Sequence, residues 1–211
     1  ACDTDEESIF NIALGAGGEN GSAITDQHRI CIDNIVLEKT SAPEIDVPVG
    51  KNLITNSEFE MSEDGSLAGW ENAVTAPGDA TFEAGDGKIT YSVENVGEAD
   101  WNIQLKQMGL SLEQGESYTL KCTLVSDVDR VVKVAVMTPS AGYAWHGGED
   151  VVLTAGEAKD VTLTITPKEE VFTDGITVDT GAGLFFSMGY VEGYTLGAHT
   201  VSISNVSFVK N

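Results

Sequence analysis

Basic residues are scarce in this sequence, whereas acidic residues are abundant. Its 211 residues include 11 Lys and Arg against 34 Asp and Glu, which gives a formal net charge of -23. A surface this negative repels phosphate backbones and anionic lipid headgroups, so the composition argues against nucleic-acid and membrane-surface binding. The sequence has no run of about 18 apolar residues, so no membrane insertion is expected. The acid excess fits a secreted or cell-surface protein.

Cysteine, histidine and catalytic motifs are also few or missing. Three cysteines without a C-x-x-C pair exclude a disulfide-rich scaffold and a zinc or redox motif, and we expect Cys122 to be an inert core thiol. The three histidines lack metal-ligand spacing, and His146 is expected to decorate a loop. No H-E-x-x-H, G-x-S-x-G, P-loop or G-x-G-x-x-G motif is present. We therefore predict no catalytic residue and no catalytic cofactor.

Short runs of alternating apolar and polar residues dominate the rest of the sequence. Helical periodicity is almost absent, and the runs are bounded by Gly, Asp, Asn and Ser, which is typical of strands joined by turns. Turn signals recur every ~8–12 residues, a spacing typical of an antiparallel β-sandwich. The predicted fold is all-β, with strands at 88–93, 101–105, 117–124, 130–136, 160–165, 184–188 and 199–209.

A partial internal repeat divides the chain. Residues 10–39 resemble residues 184–210, and the intervening segment 41–50 carries two of the five prolines, as a linker would. We predict that residues 1–40 are the C-terminal strands of a preceding similar module and that residues 51–211 are a complete module. Two alternatives stay open: the first segment packs on the downstream sandwich, or the similarity arose by chance between two edge hairpins.

The alternation also predicts which side chains leave the core. In three predicted strands, one parity is almost entirely apolar and fits the inside of a sandwich. The opposite parity holds the residues that we expect to face outwards, which are Gln104, Lys133, Ala135, Phe185 and Ser187. Trp101, at the start of its strand, is expected to lie over the edge of the same surface.

Four segments, in this order, carry a family resemblance: 52–60 (N-L-I-T-N-S-E-F-E) with the following G-W pair, 101–107 (W-N-I-Q-L-K-Q), 112–120 (L-E-Q-G-E-S-Y-T-L) and 203–206 (I-S-N-V). Together they resemble the carbohydrate-binding modules of families 4, 9, 16 and 22, which are accessory sandwiches of secreted glycoside hydrolases. The resemblance covers residues 51–211 in full and 8–40 as a partial second copy. It implies a jelly-roll β-sandwich with a concave glycan-binding face. It also implies a polysaccharide or oligosaccharide ligand, a covalently linked catalytic domain and an upstream module in the parent protein.

The resemblance further implies a set of sugar contacts. Trp101 and Gln104 match the first and fourth positions of the family's W-x-x-Q/E motif, and Lys133 matches the cation of its valine-rich strand. Tyr143 matches an aromatic in the following loop. Ser187 matches a polar residue before the Met-Gly step, where family members often carry Gln or His, so its short side chain weakens that contact.

Three further aromatic side chains are judged from the residues themselves. Trp145 shares the Gly- and Ala-rich loop 139–148 with Tyr143, and a loop seldom buries two aromatics without cause. We expect at least one of them to stack on the apolar C–H face of a pyranose, while amides and cations bind its hydroxyls. Tyr190 is expected at the end of the cleft. Trp70 is expected in the core.

A structural calcium ion is the second feature that the resemblance implies. The glutamate of the family's Phe-Glu pair corresponds to Glu60, a backbone carbonyl ligand lies near Lys88, and a last-strand Asp corresponds to Ser204. Calcium prefers hard oxygen ligands, and a serine in place of the aspartate weakens such a site.

The sequence thus predicts a non-catalytic carbohydrate-binding module of a bacterial, secreted or cell-surface protein. It would target an attached glycoside hydrolase to soluble β-linked polysaccharide, such as β-glucan or xylan, by raising the local concentration of enzyme. One alternative is a structural or adhesive β-sandwich spacer of a bacterial surface protein, which is favoured if Tyr143 and Trp145 pack inwards. A lectin-like module for host glycans is another.

Overall fold

Ten strands form two sheets in the computed structural model, which describes residues 46–173, 175–194 and 196–211. The strands are β1 (Glu71–Val74), β2 (Asp79–Gly85), β3 (Lys88–Asn95), β4 (Ile103–Glu113), β5 (Tyr118–Ser126), β6 (Arg130–Thr138), β7 (Ala144–Leu153), β8 (Lys159–Ile165), β9 (Val178–Ser187) and β10 (His199–Lys210). Short 3₁₀ turns lie at Asp100–Asn102, Pro139–Ala141 and Glu169–Val171. The predicted partial module at 1–40 lies outside the described residues.

The two sheets stack as a jelly-roll β-sandwich, which confirms the predicted fold class. One sheet has the strand order β1-β4-β9-β6-β7, and we name it the cleft sheet. The other has the order β2-β3-β10-β5-β8, and we name it the back sheet. Neighbouring strands in both sheets run antiparallel. Among the described residues, no helix is long and apolar enough to span a membrane.

The core lies between the sheets and follows the predicted parity. The inward positions of β6 and β9 are fully buried, as are Ile103 and Leu105 of β4. Trp70 lies between Phe59 and Phe186, with ring centroids 5.2 and 6.3 Å away, which confirms that it is a core residue. Each large apolar side chain buried in this way contributes about 1.5–3 kcal/mol of transfer free energy.

Cys122 also lies in this core, on the inner face of β5. Burial raises the pKa of its thiol to about 12, because the thiolate loses its hydration there. The thiol therefore stays protonated at neutral pH, as expected of an inert core cysteine.

Asn52 joins the segment before β1 to the last strand. Its Nδ2 donates to the Val206 carbonyl at 3.2 Å, while its Oδ1 accepts from Ile54 N at 3.1 Å and Phe208 N at 2.9 Å. Val47, just upstream, is buried in the core. The second half of the segment expected as a linker, residues 46–50, therefore packs on the sandwich.

A buried guanidinium fastens the ends of three strands. Arg130, at the start of β6, contacts Nε2 of His199 on β10 and donates to the carbonyls of Met188 and Gly189 just after β9. Burial lowers the pKa of Arg130 to about 10, so the side chain remains a cation at neutral pH. These bonds hold the start of the loop that follows β9.

Three strands were not predicted from the alternation, namely β1, β2 and β7. The most consequential is β7, because the sequence analysis assigned residues 139–148 to a loop. In the structure only the 3₁₀ turn and the two residues after it are loop, and Trp145 and His146 belong to a strand. The adjacent glycines, Gly147 and Gly148, hide the strand pattern from a periodicity argument.

Candidate functional site

Polar side chains cross the outer face of the cleft sheet in one row. The strand registers pair Gln104 with Ser187, Ser187 with Lys133, and Lys133 with Asp150, on β4, β9, β6 and β7. Gln104 Nε2 donates to Ser187 Oγ at 2.9 Å. These four residues, here named the polar row, present amide, hydroxyl, ammonium and carboxylate groups side by side. Groups of this kind form directed hydrogen bonds with sugar hydroxyls.

An apolar row crosses the same face further along the strands. The registers pair Met108 of β4 with Gly183 of β9, Gly183 with Met137 of β6, and Met137 with Trp145 of β7. A Cβ atom on Gly148 would lie 2.6 Å from Cζ2 of Trp145, so the indole lies against a strand that has no side chain there. Glycine thus allows the tryptophan to lie close to the sheet.

The connection between β6 and β7 presents a second aromatic residue beside this row. The 3₁₀ turn Pro139–Ala141 ends at Gly142, and both Gly142 and Tyr143 have positive φ angles, 64° and 62°. This backbone leaves the Tyr143 side chain 61% exposed, while Trp145 is 41% exposed. Neither aromatic packs inwards, so the arrangement that would favour a structural spacer is not found for this pair.

Both rows except Asp150 and Gly183 line a cleft of about 720 Å³, here named the main cleft. Trp101 also lines this cleft and is 62% exposed. The lining residues are Asp100, Trp101, Gln104, Lys106, Met108, Lys133, Met137, Pro139, Tyr143, Trp145, Phe185 and Ser187. Large exposed aromatics around a concave surface are typical of ligand sites rather than of ordinary protein surface.

A smaller cavity of about 320 Å³ adjoins the main cleft at Trp101, and we name it the side arm. It shares Asp100, Trp101 and Lys133 with the main cleft. The rest of its lining consists of Glu98, Ala99, Val131, Asp150, Tyr190, Val191 and Glu192. Trp101 therefore lies between two concave surfaces.

Two ion pairs fix the lysines of the cleft. Lys133 Nζ contacts Oδ2 of Asp100, and both side chains are partly shielded from water. Lys106 Nζ lies 2.9 Å from Oε1 of Glu71 on the neighbouring strand, where Glu71 is largely exposed. A shielded pair holds its geometry better than an exposed one, because solvent screens the exposed charges.

The segment that carries Trp101 is held from both sides. Oδ1 of the buried Asn102 accepts hydrogen bonds from the backbone N–H groups of Glu98 and Ala99 at 2.9 and 2.8 Å. The carbonyls of Asp100 and Ala99 accept from Gly189 N at 2.9 Å and Tyr190 N at 3.1 Å. The backbone beneath the exposed indole is thereby joined to the loop after β9.

The structure brings the predicted sugar contacts together on one face. Six of them, Trp101, Gln104, Lys133, Tyr143, Trp145 and Ser187, line the main cleft. Tyr190 does not line the main cleft and instead lines the side arm with Trp101 and Lys133. Whether they contact sugar stays a prediction. His146 does not decorate a loop; it is buried, with Nε2 2.8 Å from Thr138 Oγ1 and Nδ1 accepting from Lys168 N at 3.0 Å.

Some lining residues were missed from the sequence. Met108 has the same parity as Gln104 and Lys106 on β4, so extending the predicted strand by three residues would have found it. Phe185 was expected on the outer face and is almost completely covered there. Asp100 had no signal in the alternation, because it lies in a 3₁₀ turn before the strand.

The residues expected to bind calcium give a poor ligand set. Ser204 pairs with Lys88 across β10 and β3, and Gly87 N donates to the Glu58 carbonyl at 3.1 Å, so the loop before Glu60 lies near this hairpin. Ser204 supplies a neutral hydroxyl, whereas calcium sites draw on several carboxylate and carbonyl oxygens. Among the described residues, no group of three or more His, Cys, Asp or Glu could hold a metal ion. The calcium site stays a prediction, and the residues do not fit it well.

An open cleft with exposed aromatics and hydrogen-bonding side chains, built on one sheet of a β-sandwich, is typical of proteins that bind a ligand on a sheet face. Comparison with known proteins gives the family. The family model described as "Carbohydrate binding domain" matches residues 51–180, more than half of the chain. The chain therefore belongs to this carbohydrate-binding family, whose modules are generally non-catalytic. No curated protein matches the chain.

Solved structures of similar fold include three sugar-binding modules. A CBM4 module is 19% identical with a TM-score of 0.59, over 75% of this chain and 99% of that one. The N-terminal cellulose-binding domain of β-1,4-glucanase C from Cellulomonas fimi is 20% identical with a TM-score of 0.54, over 76% and 98%. The second N-terminal cellulose-binding domain of the same enzyme is 22% identical with a TM-score of 0.53, over 76% and 94%. These likenesses support the fold.

Proposed function

We propose that this protein is a non-catalytic module that binds a single soluble chain of β-linked glucan or xylan in the main cleft. The observation that carries the proposal is the placement of three exposed aromatics, Trp101, Tyr143 and Trp145, around a row of hydrogen-bonding side chains. The aromatic planes would stack on pyranose C–H faces, and the polar row would bind the hydroxyls. A cleft suits one chain, whereas a crystalline surface would need a flat row of aromatics.

The biological role that follows is targeting. The module would hold an attached glycoside hydrolase close to its polysaccharide and raise the local concentration of enzyme there. The net charge of -23 fits a soluble, secreted or cell-surface bacterial protein. Each sugar unit in an open cleft buries little area, and desolvation of polar groups offsets part of the gain. We therefore expect dissociation constants on the order of micromolar to millimolar.

Affinity gel electrophoresis tests the proposal. Laminarin, barley β-glucan, xylan, glucomannan and hydroxyethylcellulose are each cast into a native gel, and the wild-type chain is expected to be retarded in one or two of them. The Trp101→Ala variant should lose at least about tenfold in affinity, or about 1.4 kcal/mol, because its stacking surface is removed. Trp101 is largely exposed, so the melting temperature should stay near that of the wild type.

Ile176→Ala is the matched control, because Ile176 is an exposed apolar residue that does not line either cavity. It should migrate like the wild type in every gel. Absence of retardation with all five polysaccharides would reject the proposal and leave the spacer or a host-glycan lectin as the candidates. Unchanged affinity of Trp101→Ala would remove the main cleft as the site.

A further inference from the structure

Trp101 lines two cavities of different character. Two lysines, Lys106 and Lys133, and the carboxylate of Asp100 line the main cleft. Lys106 also pairs with the carboxylate of Glu71, so each lysine has an acidic partner. Most of the cleft's remaining surface is amide, hydroxyl, thioether and aromatic. A neutral polysaccharide fits such a lining without desolvating an unpaired charge.

The side arm is strongly acidic instead. Four carboxylates line it, those of Glu98, Asp100, Asp150 and Glu192, and Lys133 is the one cationic side chain among its lining residues. Asp100 forms the ion pair with that lysine. Among the described residues, the other three carboxylates form no ion pair.

The side arm also offers contact surface to a sugar chain that extends out of the main cleft. Its cavity joins the main cleft at Trp101, whose exposed indole lines both. Tyr190 is a second exposed aromatic in the side arm, and its backbone is bonded to the segment that carries Trp101. A ligand that stacks on Trp101 in the main cleft therefore lies next to the lining of the side arm.

We propose that the polysaccharide continues into the side arm, and that the unpaired carboxylates of Glu98, Asp150 and Glu192 make the module select neutral chains over chains with carboxylate substituents. This inference rests on the proposed function. A uronate or carboxymethyl group brought into the side arm would face like charges at short range. All three carboxylates are exposed, so water and salt screen the repulsion, which is therefore largest at low salt. The acidic side arm thus sets specificity, while the main cleft supplies affinity.

Pairs of polysaccharides with one backbone and different charge test this inference. Hydroxyethylcellulose and carboxymethylcellulose share a β-1,4-glucan backbone, and arabinoxylan and glucuronoxylan share a xylan backbone. The wild-type chain should bind the neutral member of the pair that matches its backbone at least about tenfold more tightly than the anionic member at 0.02 M salt. Raising the salt to 0.5 M should reduce that ratio, because the screening length falls to a few ångströms.

The variant E98Q/D150N/E192Q separates the effect of the side-arm carboxylates on binding from the effect of the protein's net charge. It keeps the size of each side chain and removes three charges, and it should narrow the ratio to about threefold or less. The matched control is E83Q/D86N/E94Q, which also replaces two Glu and one Asp, all exposed residues of the β2–β3 hairpin on the back sheet. It should keep the wild-type ratio.

Each outcome decides the inference. A neutral-to-anionic affinity ratio that narrows only in the side-arm variant supports the inference. A ratio that stays high in the side-arm variant, or that narrows equally in the control, would overturn it and assign the selection to net charge alone. Equal binding of both members by the wild type would also overturn it while leaving the proposed function standing. Absence of wild-type binding to every neutral polysaccharide would reject the proposed function itself, and the inference with it.

Discussion

Asp100 illustrates how one residue outside the alternating pattern organises the site. Its carboxylate holds Lys133 in the polar row, and its carbonyl accepts from Gly189. It directly precedes Trp101, the residue with the largest exposed aromatic surface at the junction of the two cavities. We infer that Asp100 positions the ammonium of Lys133 for the ligand.

A double-mutant cycle tests this positioning role. D100N and K133M should each weaken oligosaccharide binding about three- to fivefold. D100N removes the carboxylate that orients the ammonium of Lys133, and K133M removes the ammonium itself. The double variant should bind no more weakly than K133M alone. Isothermal titration of the four proteins measures the coupling, and melting temperatures show that each variant is folded. Additive losses in the double variant would contradict the positioning role.

Other residues were predictable to differing degrees. Trp101, Gln104, Lys133 and Ser187 were located by family resemblance, and parity independently placed the last three on the outer face. Met108 and Phe185 could be assigned by parity alone, but nothing in a sequence shows that a thioether and a covered phenyl ring line the same cleft. That arrangement depends on register between β4 and β9, which nonlocal pairing determines.

At the level of elements, long alternating strands were predictable and the pairing order was not. Seven of the ten strands follow from alternation, whereas short β1 and glycine-interrupted β7 carry too weak a pattern. In the cleft sheet β9 lies between β4 and β6, which are both far from it in sequence. This nonlocal order brings Ser187 between Gln104 and Lys133, so the polar row itself could not be derived from local sequence.

The attachment of the segment before β1 to β10 gives an element-scale prediction. Asn52→Ala should lower the free energy of unfolding by about 2–3 kcal/mol, because it removes three hydrogen bonds and leaves partly buried backbone groups without partners. Asn52→Asp keeps the oxygen that accepts from Ile54 and Phe208 and should cost less. Urea unfolding monitored by tryptophan fluorescence provides both values.

Binding serves as the control for this pair of variants. Asn52 contacts β10 of the back sheet and does not line either cavity, so both variants should bind polysaccharide like the wild type when folded. An equal loss of stability in Asn52→Ala and Asn52→Asp would show that the accepted hydrogen bonds contribute little.

At the scale of the whole molecule, we expect mild acid to lower the free energy of unfolding. The cause should be protonation of buried histidines, at a pH where most carboxylates are still ionised. Burial lowers the pKa of both His146 and His199 below the ordinary value. Around His199 lie the Arg130 cation, the Gly197 carbonyl and Asp127. Around His146 lie Thr138, Asp179, Glu170 and Lys168. The nearby carboxylates oppose the shift in each case but do not cancel it.

The sign of the pH dependence follows from linkage. Because the folded-state pKa of each histidine lies below its unfolded value of about 6.5, unfolding takes up protons at mildly acidic pH. The stability that each neutral histidine provides is complete above the unfolded-state pKa and is lost as the pH falls towards the folded-state pKa. The slope reaches at most about 1.4 kcal/mol per pH unit for each histidine. Most carboxylates remain ionised down to pH 5.5, so the repulsion due to the net charge changes little over this range.

The free energy of unfolding in urea should therefore fall between pH 7.5 and pH 5.5, and the variant H146N/H199Q should show a much flatter dependence over the same range. The variant will be less stable at pH 7.5, since the new side chains do not reproduce every hydrogen bond, so the two proteins are compared by the slope of stability against pH. His28 is present in both proteins, so its contribution cancels in the comparison. A wild-type stability that is flat from pH 7.5 to 5.5, or a slope that persists unchanged in the variant, would contradict the assignment to these two histidines.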